Sequence, residues 1–157
     1  VYKTNSIILK EKYMANATGY LKKLRLEAKK NLIEGEVFLK ENALRDTVIS
    51  LPSGLQYEII VEGTGKSPKL NNSVKCFYEG RLINGTIFDS TEKRKKPASF
   101  PVNEVIAGWT EALQLMKEGS KWRLFIPASL GYGELSVSKE IGGNAVLIFE
   151  VELVSVH

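Results

Sequence analysis

The chain has 157 residues, 43% hydrophobic and 25% charged, with a net charge of +4. That balance fits one ordinary globular domain with something added. One cysteine, Cys76, excludes an intramolecular disulfide and a zinc site of several thiolates. One histidine, His157, excludes a Ser-His-Asp triad, a Cys-His pair in the globular part and a histidine-based metal centre.

Residues from about Ala17 to Asp46 lack proline and read as a long helix. Leu21, Leu24, Ala28 and Leu32 recur at spacings of three and four, and Phe38 and Leu39 extend this narrow apolar stripe. About 30 helical residues reach roughly 45 Å. So thin a stripe predicts a helix that projects or packs on a partner, weakened locally by Gly35. Residues 1–50 hold ten Lys/Arg against six Asp/Glu, whereas residues 51–157 hold twelve of each. A basic helix can meet an anionic surface, but no aromatic residues interleave with the basic ones as a nucleic-acid interface requires. No secretory h-region stands at Val1.

Leu51-Pro52-Ser53-Gly54-Leu55 is a break signal and sets the boundary near Ser50. The division is a helical extension over 1–50 and a second domain over 51–157. Beyond the break the periodicity becomes two. Val74, Cys76 and Tyr78 alternate with Lys75, Phe77 and Glu79; Trp122, Leu124 and Ile126 with Lys121, Arg123 and Phe125; Leu147, Phe149, Val151 and Leu153 with Ile148, Glu150 and Glu152. Asn84-Gly85 suits a hairpin turn. Gly108 to Met116 reads as one short helix ending near Gly119. The expected fold is α+β: an antiparallel sheet wrapped on one short helix, preceded by the long N-terminal α-helix. The longest apolar run, Ala145 to Phe149, is far too short to span a bilayer. Cys76 shares its strand face with Val74 and Tyr78, points inward and has no histidine to activate it.

Four ordered motifs carry a resemblance. They are Val74 to Gly80, Gly85 to Thr91, Val105 to Trp109, and Ala128 to Gly133, with Ile141 to Leu153 as a closing strand. In this order and spacing they resemble the FKBP-type peptidyl-prolyl cis-trans isomerases across nearly all of residues 51–157. The Leu51–Tyr57 segment after a charged helix is similar to the macrophage infectivity potentiator (Mip) branch. The resemblance implies catalytic positions at Asp89, Tyr132, Tyr78, Phe88 and Trp109, with Trp109 as the floor beneath a prolyl ring. It implies substrate contacts from Phe100, Val105, Ile106, Ile141 and Phe149, with Arg94 near Asp89, and a carbonyl held by the Ile106 backbone N–H. No metal or cofactor is implied. The implied partners are proline-containing peptides, unfolded proteins and macrolide immunosuppressant inhibitors, with no nucleic acid, and a homodimer through the N-terminal helix is open. The implied location is secreted, periplasmic or cell-surface, and the branch is associated with virulence.

These residue types suit the reaction. Rotating an X–Pro amide costs about 18–20 kcal/mol because resonance holds it planar, roughly one event per hundred seconds. No bond breaks, so the requirement is a site that fits the twisted amide better than either planar form. A water-poor aromatic pocket withdraws the solvent hydrogen bonds that favour the planar, charge-separated form. Without the motif order, Trp109 and Phe149 read as core, Asp89 as a turn carboxylate and Arg94 as a solvated loop charge. Two departures stand out: Ala98 where many members have an aromatic, and Gly142-Gly143, which is expected to loosen the loop over the pocket. A binding module that recognises proline without turnover is the competing reading.

Overall fold

The computed structural model describes residues 1–3, 18–92 and 95–157. Helix α1 spans Thr18–Asn42. Seven strands follow: β1 Ile49–Ser50, β2 Gln56–Val61, β3 Ser73–Leu82, β4 Ile87–Ser90, β5 Ala98–Pro101, β6 Lys121–Ile126 and β7 Leu147–Val156. Helix α2, Ala107–Leu115, lies between β5 and β6. All strand pairs are antiparallel, in the order β1-β2-β6-β7-β3-β4, with β5 also on β3. Among the described residues no helix is long and apolar enough to cross a membrane.

Strand β3 organises the sheet. One edge pairs along its length with β7, from Val74↔Val156 to Leu82↔Leu147. The other edge is shared: Ser73 to Cys76 pair with β5, and Glu79 to Arg81 with β4. Between these partners Thr91 takes over, its N–H donating to the Tyr78 carbonyl at 2.9 Å and its hydroxyl accepting the Tyr78 N–H at 2.9 Å. The β3–β4 turn is the one expected at Asn84-Gly85. Gly85 has φ +91, and the Thr86 N–H donates to Asn84 Oδ1.

The alternation read from the sequence places Val74, Cys76, Tyr78, Trp122, Leu124, Ile126, Leu147, Phe149, Val151 and Leu153 on the inward face, and all are buried. They close around α2 through Trp109, Ala112 and Leu113. The outward face is polar and ionic. Glu58 accepts from Arg45, Arg123 and the Thr47 hydroxyl, and Arg123 also donates to Glu150 at 2.6 Å, so four charges form one ladder across β2, β6 and β7.

Helix α1 departs from its expectation. It does not project free: from Ala28 to Asn42 it lies against the domain along one edge. Leu21, Leu24, Ala28, Asn31 and Phe38 are half-buried, and Gly35 and Asn42 are buried. The docked line therefore steps by three and four through small and polar residues as well as apolar ones. Leu32, which the apolar stripe included, is 44% exposed. A Cβ on Gly35 would meet Val146 Cγ2 at 2.8 Å, so glycine allows close approach there. Phe38 lies against Phe125 at 6.1 Å, which explains why an outward-facing residue of β6 is buried. At the helix end the Asn42 amide donates to Gln56 Oε1, and Gln56 Nε2 donates to the Leu39 carbonyl.

Candidate functional site

The site is built where β3, β5, β7 and α2 converge. Helix α2 begins at Ala107, so the turn before it presents Val105 and Ile106, both buried, and its first turn carries Trp109 into the sheet at 0% exposure. Gly108 makes this close approach feasible, since a Cβ there would meet Ile126 side-chain carbons at 2.8–3.1 Å. Around the indole stand three rings. Tyr78 is 5.3 Å away at 88°, Phe149 5.4 Å at 89° and Phe100 5.5 Å at 74°. Phe88 adds a fourth ring edge-on to Phe149 at 5.4 Å and 90°. Edge-to-face pairs of this kind contribute about 0.5–1.5 kcal/mol each beyond burial. The box is therefore rigid as well as apolar.

Gly80 is a residue whose role sequence reasoning missed, although it ends the first motif. A Cβ there would meet Phe149 and Phe88 ring carbons at 2.6–2.8 Å. Its missing side chain lets Phe88 cross Phe149.

Polar groups sit at the rim. The Tyr78 hydroxyl donates to Asp89 Oδ2 at 2.6 Å, tying a wall of the box to the carboxylate. Tyr132, half-buried in the turn after the short 3-10 segment Ala128–Leu130, has its hydroxyl pKa pushed up to about 12 by burial and by the nearby Asp89 charge. It is thus a neutral donor at physiological pH. Ile141 is buried in the same β6–β7 connection. Ten of the eleven site residues expected from the sequence are described, and Tyr78, Phe88, Phe100, Trp109 and Phe149 form one contiguous ring cluster with Asp89 at its edge. Arg94 lies outside the described residues. Cys76 stays out of the chemistry: burial pushes its thiol up to about 12.

Residues 1–3 of the chain itself lie along the turn before α2. The Ile106 N–H donates to the carbonyl of Val1 at 2.9 Å, Tyr2 forms an antiparallel bridge with Val105, and the Lys3 N–H donates to the Glu104 carbonyl at 3.3 Å. Val1 packs on the apolar cluster, and the Tyr2 ring lies 5.5 Å from Phe100 at 64°. The contact is mainly between backbones about 100 residues apart, so no pattern in the sequence announces it. A concavity of about 480 Å³ lined by Phe77, Glu79, Lys121, Glu150 and Glu152 lies on the outward face of the sheet and shares only Tyr78 with the cluster. Its lining mixes charged side chains with Phe77, Ser90 and Thr91 and lies apart from the other rings of the cluster.

Comparison with known proteins agrees with this geometry. The profile of the FKBP-type peptidyl-prolyl cis-trans isomerases matches residues 64–154, and that of the domain amino-terminal to such isomerases matches residues 3–59. The chain is 52% identical over 130 residues to the outer membrane protein MIP of Legionella longbeachae, covering 83% of this chain and 56% of that protein. It is 47% identical over 136 residues to a probable FKBP-type peptidyl-prolyl cis-trans isomerase FkpA of Neisseria meningitidis, covering 87% and 50%. Among solved structures, FkpA from Escherichia coli superposes with a TM-score of 0.82 at 37% identity, over 85% of this chain and 62% of that one. A peptidyl-prolyl cis-trans isomerase from Pseudomonas syringae pv. tomato gives 0.76 at 36% identity, over 82% and 94%. The chain spans about half the length of the curated relatives it matches. With an aromatic box on an antiparallel sheet and a profile match across most of that domain, the chain belongs to the family of FKBP-type peptidyl-prolyl cis-trans isomerases.

Proposed function

We propose that this chain catalyses cis/trans rotation of X–Pro bonds in peptides and unfolded proteins, without a covalent step. The observation that carries the reading is the rigid box around Trp109 with a peptide carbonyl already seated on the Ile106 N–H beside it. A prolyl residue bound the same way sets its ring on the indole and its own carbonyl on Ile106. The preceding amide then lies among Asp89, Tyr132, Phe88 and Tyr78. There water is scarce, and the planar, charge-separated amide loses the hydrogen bonds that favour it. Tyr132 remains a neutral hydroxyl that can donate to the twisted amide, and each 1.4 kcal/mol or so of preferential binding of that form is about tenfold in rate. In this reading residues 51–157 are the isomerase domain and residues 1–50 an N-terminal extension, whose helix α1 is docked on it.

A proline tetrapeptide assay tests the proposal. Asp89→Val is expected to lower kcat/KM about tenfold or more, and Tyr132→Phe a few-fold, about 1.4 kcal/mol and somewhat less of transition-state stabilisation. Circular dichroism should stay unchanged in both. A folded wild-type protein that binds the peptide without accelerating rotation would instead be a proline-recognising binding module. Macrolide immunosuppressants fit the same box and should compete with the peptide. The names of the relatives, an outer membrane protein MIP among them, support work outside the cytoplasm. Pairing of two chains through α1 is tested by sedimentation.

A further inference from the structure

The connection between β6 and β7 carries Tyr132 and Ile141, and it holds itself together only in part. Its outer excursion closes on itself: the Val137 N–H donates to the Ile141 carbonyl at 3.1 Å, and the Ile141 N–H to Ser138 Oγ at 3.1 Å. Its base is different. There the Asn144 N–H donates to the Gly133 carbonyl at 2.8 Å, one residue from Tyr132. From the other side the base is gripped by α1. Asn31 Nδ2 donates to the Gly143 carbonyl at 3.0 Å, and Asn144 Nδ2 donates to the Ala28 carbonyl at 3.2 Å.

The backbone is adapted to this grip. Asn144 has φ +57, a left-handed conformation that asparagine tolerates better than most residues. In that conformation its N–H faces the active-site turn while its side chain reaches the helix. Gly143 leaves room for both neighbours, since a Cβ there would lie 2.1 Å from the Glu134 carbonyl oxygen and 3.0 Å from Ala28 Cβ. Gly35, against Val146, brings the helix close enough for the two amides to reach. The sequence predicted that Gly142-Gly143 would loosen this loop. In the structure these glycines are the surface on which a helix lands.

We propose that α1 is a positioning element of the active site, with Asn31 and Asn144 as positioning residues that fix the turn carrying Tyr132. This rests on the isomerase reading above. The chain of contact is continuous: Asn31 and Ala28 on the helix, Gly143 and Asn144 in the turn, Gly133, then Tyr132.

The test uses the whole chain. Asn31→Asp keeps the shape and removes the donor. Asn144→Gly keeps the left-handed backbone and the bond to Gly133, and removes only the reach to Ala28. Each is expected to lower kcat/KM for a proline tetrapeptide about five- to tenfold, the scale of one lost hydrogen bond, mainly by raising KM. Ile33→Ala, on the far side of α1 and 55% exposed, should leave both constants unchanged. Two readouts separate positioning from plain stability. Amide exchange at Gly133 should quicken in both variants, and at Asn144 in Asn31→Asp, while the β3 and β7 amides stay protected. In a double-mutant cycle, Asn31→Asp combined with Tyr132→Phe should cost less than the product of the single effects, because both act through one group. Unchanged exchange in both variants would overturn the clamp. Faster exchange with multiplicative kinetics would overturn its action on Tyr132. An inactive wild-type protein would sink the isomerase reading alone, and the exchange measurement would still decide the clamp.

Discussion

The two faces of the sheet are held by different physics. On the inward face, three aromatic rings and the aliphatic side chains of β3, β6 and β7 surround Trp109, and the forces are burial and ring geometry. On the outward face and along α1, the contacts are an ion-pair ladder, asparagine amides and glycines. The first face is held by contacts that do not depend on charge. The second makes attachments that depend on donor geometry and on charge. The proposed site lies on the first, and the proposed clamp on the second.

The largest expected effect lies on the inward face. Phe149→Ala removes a fully buried ring that touches Trp109, Phe88 and Tyr78, and should cost about 3–5 kcal/mol in denaturant unfolding. A loss below about 1 kcal/mol would mean that the box is loosely packed and that its rigidity is not the basis of the site. Next comes the ladder. Glu58, with 7% of its side chain exposed, holds two arginines; Glu58→Gln should cost about 1–3 kcal/mol, since both guanidinium groups are partly solvated and can rehydrate. A change indistinguishable from zero would place the outward face outside the energetics of folding.

Acid sharpens the same contrast. Burial would raise the Glu58 carboxyl, but the Thr47 hydroxyl and the Arg123 and Arg45 guanidinium groups outweigh it and hold the pKa below its usual value. Glu150 is held low chiefly by its hydrogen bond to Arg123. A carboxyl depressed in the folded state stabilises fully above its unfolded pKa, about 4.3, and loses that contribution as pH falls through the lower folded value. The melting temperature should therefore drop below about pH 4, and Glu58→Gln should flatten that drop. An equally steep acid limb in the variant would assign the effect to other groups. The smallest effect concerns the seam: Gly35→Ala gains about 1 kcal/mol in helix propensity and loses about 1–3 kcal/mol in overpacking against Val146. The net should be a slight destabilisation, and a clearly more stable variant would show that the seam is slack.

The inward face was legible in the sequence because its rule is simple. Strict alternation marked the buried members of β3, β6 and β7, and the ordered motifs placed Tyr78, Phe88, Asp89, Trp109 and Tyr132 in one neighbourhood. Helix α1 was legible as a helix but not as a docked one. Its seam runs through Asn31, Gly35 and Asn42, which hydropathy scores as solvent-facing or helix-weakening, so the apolar stripe drifted onto exposed Leu32. Phe125 was the one available hint, an aromatic among Lys121 and Arg123 on the outward side of β6. Gly80 and Asn144 were visible as letters, yet their roles depend on what crosses them in space.

The Val1 carbonyl on the Ile106 N–H carries a kinetic consequence. A segment of the same chain competes at an effective concentration set by its tether, so diluting the protein does not relieve it. On the isomerase reading proposed above, the site is open to other peptides only for the fraction of time in which that strand has left. Apparent affinity for any incoming peptide or drug is reduced by that fraction. The same KM would be measured at every protein concentration, while a variant lacking a good Tyr2 contact would bind more tightly with its turnover number intact.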